Sequence, residues 1–130
     1  DICTRMGQLE ELLKLAQHEY EQGHCVVIAG DWNMRLTPTD PDQHTGAREK
    51  LQVIDFPQTS LNEGWSFALD TKTPTVRSLN APYIAGQNAT AIIDGFVCSP
   101  NVVVKSVSTA NLGFEDTDHH PVNGCFQALT

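Results

Sequence analysis

Three short segments of this 130-residue chain carry side chains able to do chemistry. In Ile28-Ala29-Gly30-Asp31-Trp32-Asn33 a carboxylate and an amide stand two positions apart, so in extended backbone both face the same side. In Ile92-Ile93-Asp94-Gly95-Phe96-Val97-Cys98-Ser99 a carboxylate interrupts an apolar run, and its burial without a partner would be costly. Thr117-Asp118-His119-His120-Pro121-Val122 sets a carboxylate and two imidazoles just before another apolar stretch. Taken singly, each has an ordinary structural reading: a Gly-Asp turn, a locally paired Asp94, a solvated His-His pair. Together, Asp31, Asn33, Asp94, Asp118 and His119 comprise three carboxylates, an amide acceptor and an imidazole, all at predicted strand ends. Such oxygens hold a hard cation, and the imidazole supplies a base near neutral pH.

The elements that must position these residues are legible in outline. Met6, Leu9, Leu12, Leu13, Ala16 and Tyr20 follow the 3-4 spacing of one helix face, predicting a helix over 5–22 with Thr4 as N-cap and Gly23 as terminator. Cys25 to Ala29 is a short, continuous, β-branched-rich apolar run, the pattern of a strand buried on both faces. Turn formers then dominate from Asp31 to Gly46, followed by a weaker helical stretch over Ala47 to Val53. Strands are predicted over Trp65–Leu69, Thr75–Leu79, Ala91–Cys98, Val102–Val107 and Val122–Leu129. The expected fold is α+β, a mixed and mainly antiparallel sheet with helices on one face, in a single unit spanning residues 1–130.

Composition narrows the function. Hydrophobic residues make up 40% and charged residues 18%, an ordinary globular balance. At this length roughly 65–70% of the unfolded surface is buried on folding, enough for a core without metal or disulfide staples. Acidic residues outnumber basic ones 16 to 8, for a net charge of −8. That argues against wrapping duplex nucleic acid through many Lys and Arg contacts, though not against holding phosphates through a metal ion. No apolar run is long enough to span a membrane. The four cysteines include no C-x-x-C pair, and three lie in or beside apolar runs, where they read as small core hydrophobes. Trp65 reads as core, and His18, His24 and His44 as surface.

Gly30-Asp31-Trp32-Asn33, Ile93-Asp94-Gly95-Phe96 and Thr117-Asp118-His119-His120-Pro121-Val122 resemble, in order, the three C-terminal motifs of the endonuclease/exonuclease/phosphatase superfamily, which includes deoxyribonucleases, apurinic endonucleases, inositol polyphosphate 5-phosphatases and neutral sphingomyelinases. Trp32 stands where Phe or Leu is commoner, and Thr117 where Ser is usual. The resemblance implies a divalent-metal-dependent phosphoester hydrolase using Mg²⁺ or Mn²⁺. It implies that Asp31 orients or deprotonates the attacking water, or protonates the leaving group, and that Asn33 hydrogen-bonds the phosphate. His119 would act as base or electrostatic stabiliser with Asp94 fixing its tautomer, and His120 would be a neighbour. Asp118, with Asp31, would serve the metal. Arg77 has two readings, a contact to a substrate phosphate or a surface arginine on an edge strand.

The resemblance covers only the latter half of that family's catalytic domain, whose four-layer α/β/β/α sandwich would leave this chain as one half. The family's early Asn and metal-binding Glu have no counterpart, and the chain begins with Asp1 rather than Met. The expectation is a chain that binds the metal weakly and hydrolyses little alone, with an apolar sheet face covered by the absent half or by a second copy. The alternatives are a non-catalytic binding or assembly module, and a half active only when complemented. The substrate would be a phosphoester of nucleic acid, of a lipid head group or of a small molecule.

Overall fold

The computed structural model describes residues 1–37, 51 and 53–129. Residues 38–50 and 52, which hold His44, the later part of the predicted loop and most of the predicted Ala47–Val53 helix, lie outside the described residues.

Helix α1 runs over Ile2–Glu21. It starts earlier than the periodicity suggests because the Asp1 side chain, not Thr4, accepts the orphan N–H of Cys3 at 3.1 Å, leaving Thr4 inside the first turn. It stops where expected: Gly23 takes φ +89°, a left-handed conformation that costs glycine little. Leu9 and Ala16 are buried, with Met6, Leu13 and Tyr20 packed beside them. Leu12, assigned by spacing to the same stripe, is exposed at its edge.

The strands are β1 (Val27–Asp31), β2 (Met34–Arg35), β3 (Ile54–Asp55), β4 (Ser66–Ala68), β5 (Val76–Arg77), β6 (Thr90–Ala91), β7 (Asp94–Cys98), β8 (Val102–Thr109) and β9 (Val122–Ala128). The central sheet has the order β1-β7-β4 and is antiparallel throughout. β2 and β3 form a short parallel pair, so the turn-rich segment after Asp31 contains a strand that its composition hides. β5 pairs with β6, and β8 with β9, both antiparallel. The expected Ala91–Cys98 strand is split: Ile92 and Ile93 leave the ladder, and their carbonyls accept from Leu36 N at 3.0 Å and Trp32 N at 2.9 Å instead.

Residues on β7 alternate between two packed layers. Val97, with no exposed surface, faces α1 and joins Trp32, Met34, Leu36, Phe56 and Trp65 in the principal core, which also bears out the core reading of Trp65. Phe96 points the other way and meets Phe126 of β9 edge-on, with ring centroids 5.0 Å apart. The sheet therefore lies between α1 and the β8–β9 hairpin, in an α+β arrangement. Each such fully buried apolar side chain contributes about 1.5–3 kcal/mol relative to exposure.

Two expectations are corrected. β1 is not buried on both faces: it pairs with β7 alone among the described residues, Val27 is 39% exposed and Ala29 is also exposed. A continuous apolar run reports hydrophobicity but not whether a layer covers each face. Of the cysteines, only Cys98 is buried, and burial pushes its thiol pKa up. Cys25 precedes the edge strand and Cys125 sits on the exposed row of β9, so neither enters the core; Cys3, on the first turn of α1, is exposed as well.

Gly95 faces the core at a close approach. An added Cβ would run into Leu69 Cδ2 and stand 3.3 Å from Leu36 Cδ1 and 3.5 Å from the Ala68 carbonyl. Gly95→Ala is expected to cost about 1–3 kcal/mol by overpacking, read from the urea midpoint. An unchanged midpoint would show that Leu69 swings aside freely.

Candidate active site

The register of the central sheet brings the first two motifs together. Asp31 ends β1, Asp94 begins β7, and the two are direct cross-strand partners, so their side chains leave the same face. β5 delivers the third motif. Val76 forms an isolated antiparallel bridge with His119, Arg77 N donates to the Asp118 carbonyl at 3.0 Å, and His120 N donates to the Thr75 carbonyl at 2.8 Å. Thr117 Oγ1 accepts from His119 N at 3.2 Å and tightens the loop that presents the imidazole.

At the junction, His119 Nδ1 lies 2.9 Å from Asp94 Oδ2. A carboxylate acceptor at that nitrogen sets the neutral tautomer with the proton on Nδ1. Nε2 is 3.9 Å from Asp31 Oδ2 and 3.9 Å from Asp118 Oδ2. Burial works against the charged form of His119, but the Asp94 hydrogen bond and the charges of Asp94, Asp31 and Asp118 outweigh it, raising the pKa above 6.5. Burial raises the Asp94 pKa, and hydrogen bonds from Thr75 and His119 only partly offset it. A shallow cleft of about 350 Å³ opens on this sheet face, lined by Asp31, Asp94, Phe96 and Pro121 among others.

Asn33 and Arg77 are placed differently. Asn33 adopts φ +51°; its N–H donates to Asp31 Oδ1 at 2.7 Å, and its carbonyl accepts from Arg5 Nη1 at 3.0 Å. Asp31 thus uses one oxygen to hold the turn and turns the other toward His119. The half-buried Arg77 donates through Nη1 to the carbonyls of Ser78 at 2.9 Å and Ala81 at 3.5 Å, bracing its own loop. His120 is indeed a neighbour: it is buried, stacked on Phe114 at 3.6 Å, with Nδ1 2.9 Å from the Pro74 carbonyl and Nε2 accepting from Phe114 N. His18 and His24 are exposed, and His24 lies 2.7 Å from Glu19.

Sequence reasoning missed Thr75 and Arg5. Thr75 reads only as the polar first residue of a strand, and Arg5 as one of many charges on a helix. No local pattern marks either, because each acts on backbone far away in the chain.

One ligand atom from each of Asp31, Asp94 and His119 falls within a 4.8 Å cluster, so this group could hold a metal ion. No protein-family model matches the chain, and no curated protein or solved structure matches it.

The raised His119 pKa has a consequence for stability. The folded state binds this proton more tightly than the unfolded chain, so the contribution is fully present below pH 6.5 and is lost as pH rises through the higher folded pKa. Asp94, also raised, acts in the same direction from above 3.8. The stability advantage of the wild type over His119→Gln should therefore be largest below pH 6.5 and shrink above it, as read from urea midpoints across a pH series. An advantage that grows with pH would mean that burial, not the carboxylates, governs this imidazole.

Proposed function

We propose that this chain carries the catalytic dyad of a divalent-metal-dependent phosphoester hydrolase of the endonuclease/exonuclease/phosphatase type. The observation that supports this most is the Asp94–His119 contact at 2.9 Å, with the other imidazole nitrogen 3.9 Å from a carboxylate oxygen of Asp31 and of Asp118. An oriented imidazole whose pKa is raised by the surrounding carboxylates carries a proton on Nε2 to higher pH than a free imidazole does. It then donates to a phosphoryl oxygen and offsets the charge that grows there. Asp31, with Oδ2 beside the same space, accepts a proton from the attacking water or returns one to the leaving group. Asp94 keeps the imidazole from rotating and stabilises its charged form.

The donor set fits a hard divalent cation. The carboxylate oxygens of Asp31, which belongs to the Asp31–Asp94–His119 group, and of Asp118, which lies outside that group but within 3.9 Å of the same imidazole, suit Mg²⁺ or Mn²⁺, and the three carboxylates around His119 favour a cation electrostatically. When bound, such an ion neutralises charge on the phosphoryl oxygens.

The test is hydrolysis of bis(p-nitrophenyl) phosphate and nicking of plasmid DNA, with Mg²⁺ or Mn²⁺ and with chelator. It should use both this chain and the complete product of the open reading frame that encodes it. Metal-dependent turnover that disappears in Asp31→Ala supports the reading. A complete product without turnover on either substrate, or on a lipid or inositol phosphoester, would leave a non-catalytic binding module.

A further inference from the structure

Between β6 and β7 the chain leaves its ladder for two residues, immediately before the dyad carboxylate. Backbone N–H groups released there need acceptors, since a buried unpaired amide is costly. Thr75 supplies them. Its side chain is 1% exposed, and its Oγ1 accepts from Ile93 N at 3.0 Å and from Asp94 N at 3.1 Å.

A hydroxyl has two acceptor lone pairs and one proton. Two amides occupy both lone pairs, so the proton is left to donate, and interaction with this hydroxyl works against the burial that raises the Asp94 pKa. The main chain of the same residue reaches the other half of the dyad. Thr75 N donates to the Ala91 carbonyl at 2.9 Å, the Thr75 carbonyl accepts from His120 N at 2.8 Å, and the next residue, Val76, bridges His119. One dipeptide thus grips the backbone on both sides of the Asp94–His119 contact.

We infer that Thr75 is the positioning residue of the dyad: its hydroxyl fixes the backbone of Asp94 while its carbonyl anchors the loop that carries His119. Valine has nearly the same shape but offers neither the acceptor nor the donor. Serine keeps both. The functional meaning of this assignment rests on the role proposed for the dyad, whereas its structural content rests on the hydrogen bonds alone.

The experiment is NMR of the ¹⁵N-histidine-labelled chain in the presence of chelator. Wild type and Thr75→Ser are expected to show a single His119 tautomer with a downfield Nδ1–H resonance, and Thr75→Val to lose that resonance and mix tautomers. A folded Thr75→Val with an unchanged His119 signal, or a Thr75→Ser that loses it, would overturn the assignment. Should Thr75→Val not fold, the wild-type hydroxyl proton decides. A resolved, slowly exchanging signal with cross-peaks to the Ile93 and Asp94 amides supports the assignment, and a rapidly exchanging one refutes it. None of these readouts requires turnover, so an inactive complete protein would count against the hydrolase reading and leave this result standing.

Discussion

Under the hydrolase proposal, His119→Ala in the complete product of the reading frame is expected to lower metal-dependent phosphoester hydrolysis by about 10²–10⁴-fold, the range lost with a positioned acid or base. Nε2 is the imidazole atom left uncommitted, since Nδ1 is engaged by Asp94 at 2.9 Å. Neither Arg77 nor His120 stands in its place: Arg77 Nη1 is engaged with its own loop carbonyls, and His120 is stacked and hydrogen-bonded at both ring nitrogens. The fold should survive, because His119 is only half-buried and its loop is held through backbone bonds to β5. The loss should therefore appear in kcat in a protein with native circular dichroism. Turnover within a fewfold of wild type would remove His119 from the chemistry. A variant that fails to fold would instead show that the three surrounding carboxylates repel one another too strongly without the imidazole.

Trp32→Ala should have the largest effect on stability, about 3–5 kcal/mol, against a total of about 5–15 kcal/mol for a typical domain. Trp32 is buried in the principal core, meets Phe56 edge-on with centroids 5.8 Å apart, and donates Nε1–H to the Gly95 carbonyl at 3.2 Å. Truncation removes a large apolar volume and strands that carbonyl. It also frees the turn that this ring pins between Asp31 and Asn33, so activity should fall together with stability. Trp32→Phe separates the contributions: it keeps most of the apolar surface and should cost mainly the hydrogen bond, about 0.5–1.5 kcal/mol, plus a packing term. Urea unfolding measures both variants. If Trp32→Ala lost less than Trp32→Phe, Trp32 would not be the anchor of the turn.

How far the sequence could be read follows from how local each signal is. The helix is legible because a 3-4 stripe is written within twenty residues, but its start is not, since Thr4 has the residue type of a cap while Asp1 is the residue that caps. Which of them caps depends on where the chain enters the core. β8 and β9 lie almost where alternation and turn residues put them. β2 was hidden because Met34 and Arg35 become a strand only through pairing with Ile54 and Asp55, some twenty residues away. The break at Ile92–Ile93 was invisible for the same reason: an apolar run carries no mark of where its carbonyls will turn to Trp32 and Leu36.

By itself, then, the sequence determined the kinds of groups available, their place at strand ends, and the α+β class, because residue type and short-range periodicity are properties of the chain. It placed Asp31, Asp94, Asp118 and His119 in separate segments with no physical measure of their separation. Only the tertiary structure decided that the β1–β7 register sets Asp31 opposite Asp94, and that β5 carries His119 to within hydrogen-bonding distance of Asp94. It also decided that the backbone of Asn33 is tied to the side chains of Asp31 and Arg5, that Arg77 Nη1 is spent on the carbonyls of its own loop, and that Thr75 is built into the dyad's support. Pairing of distant strands is a long-range choice among many compatible partners. Nothing in a local run of residues encodes which one is made.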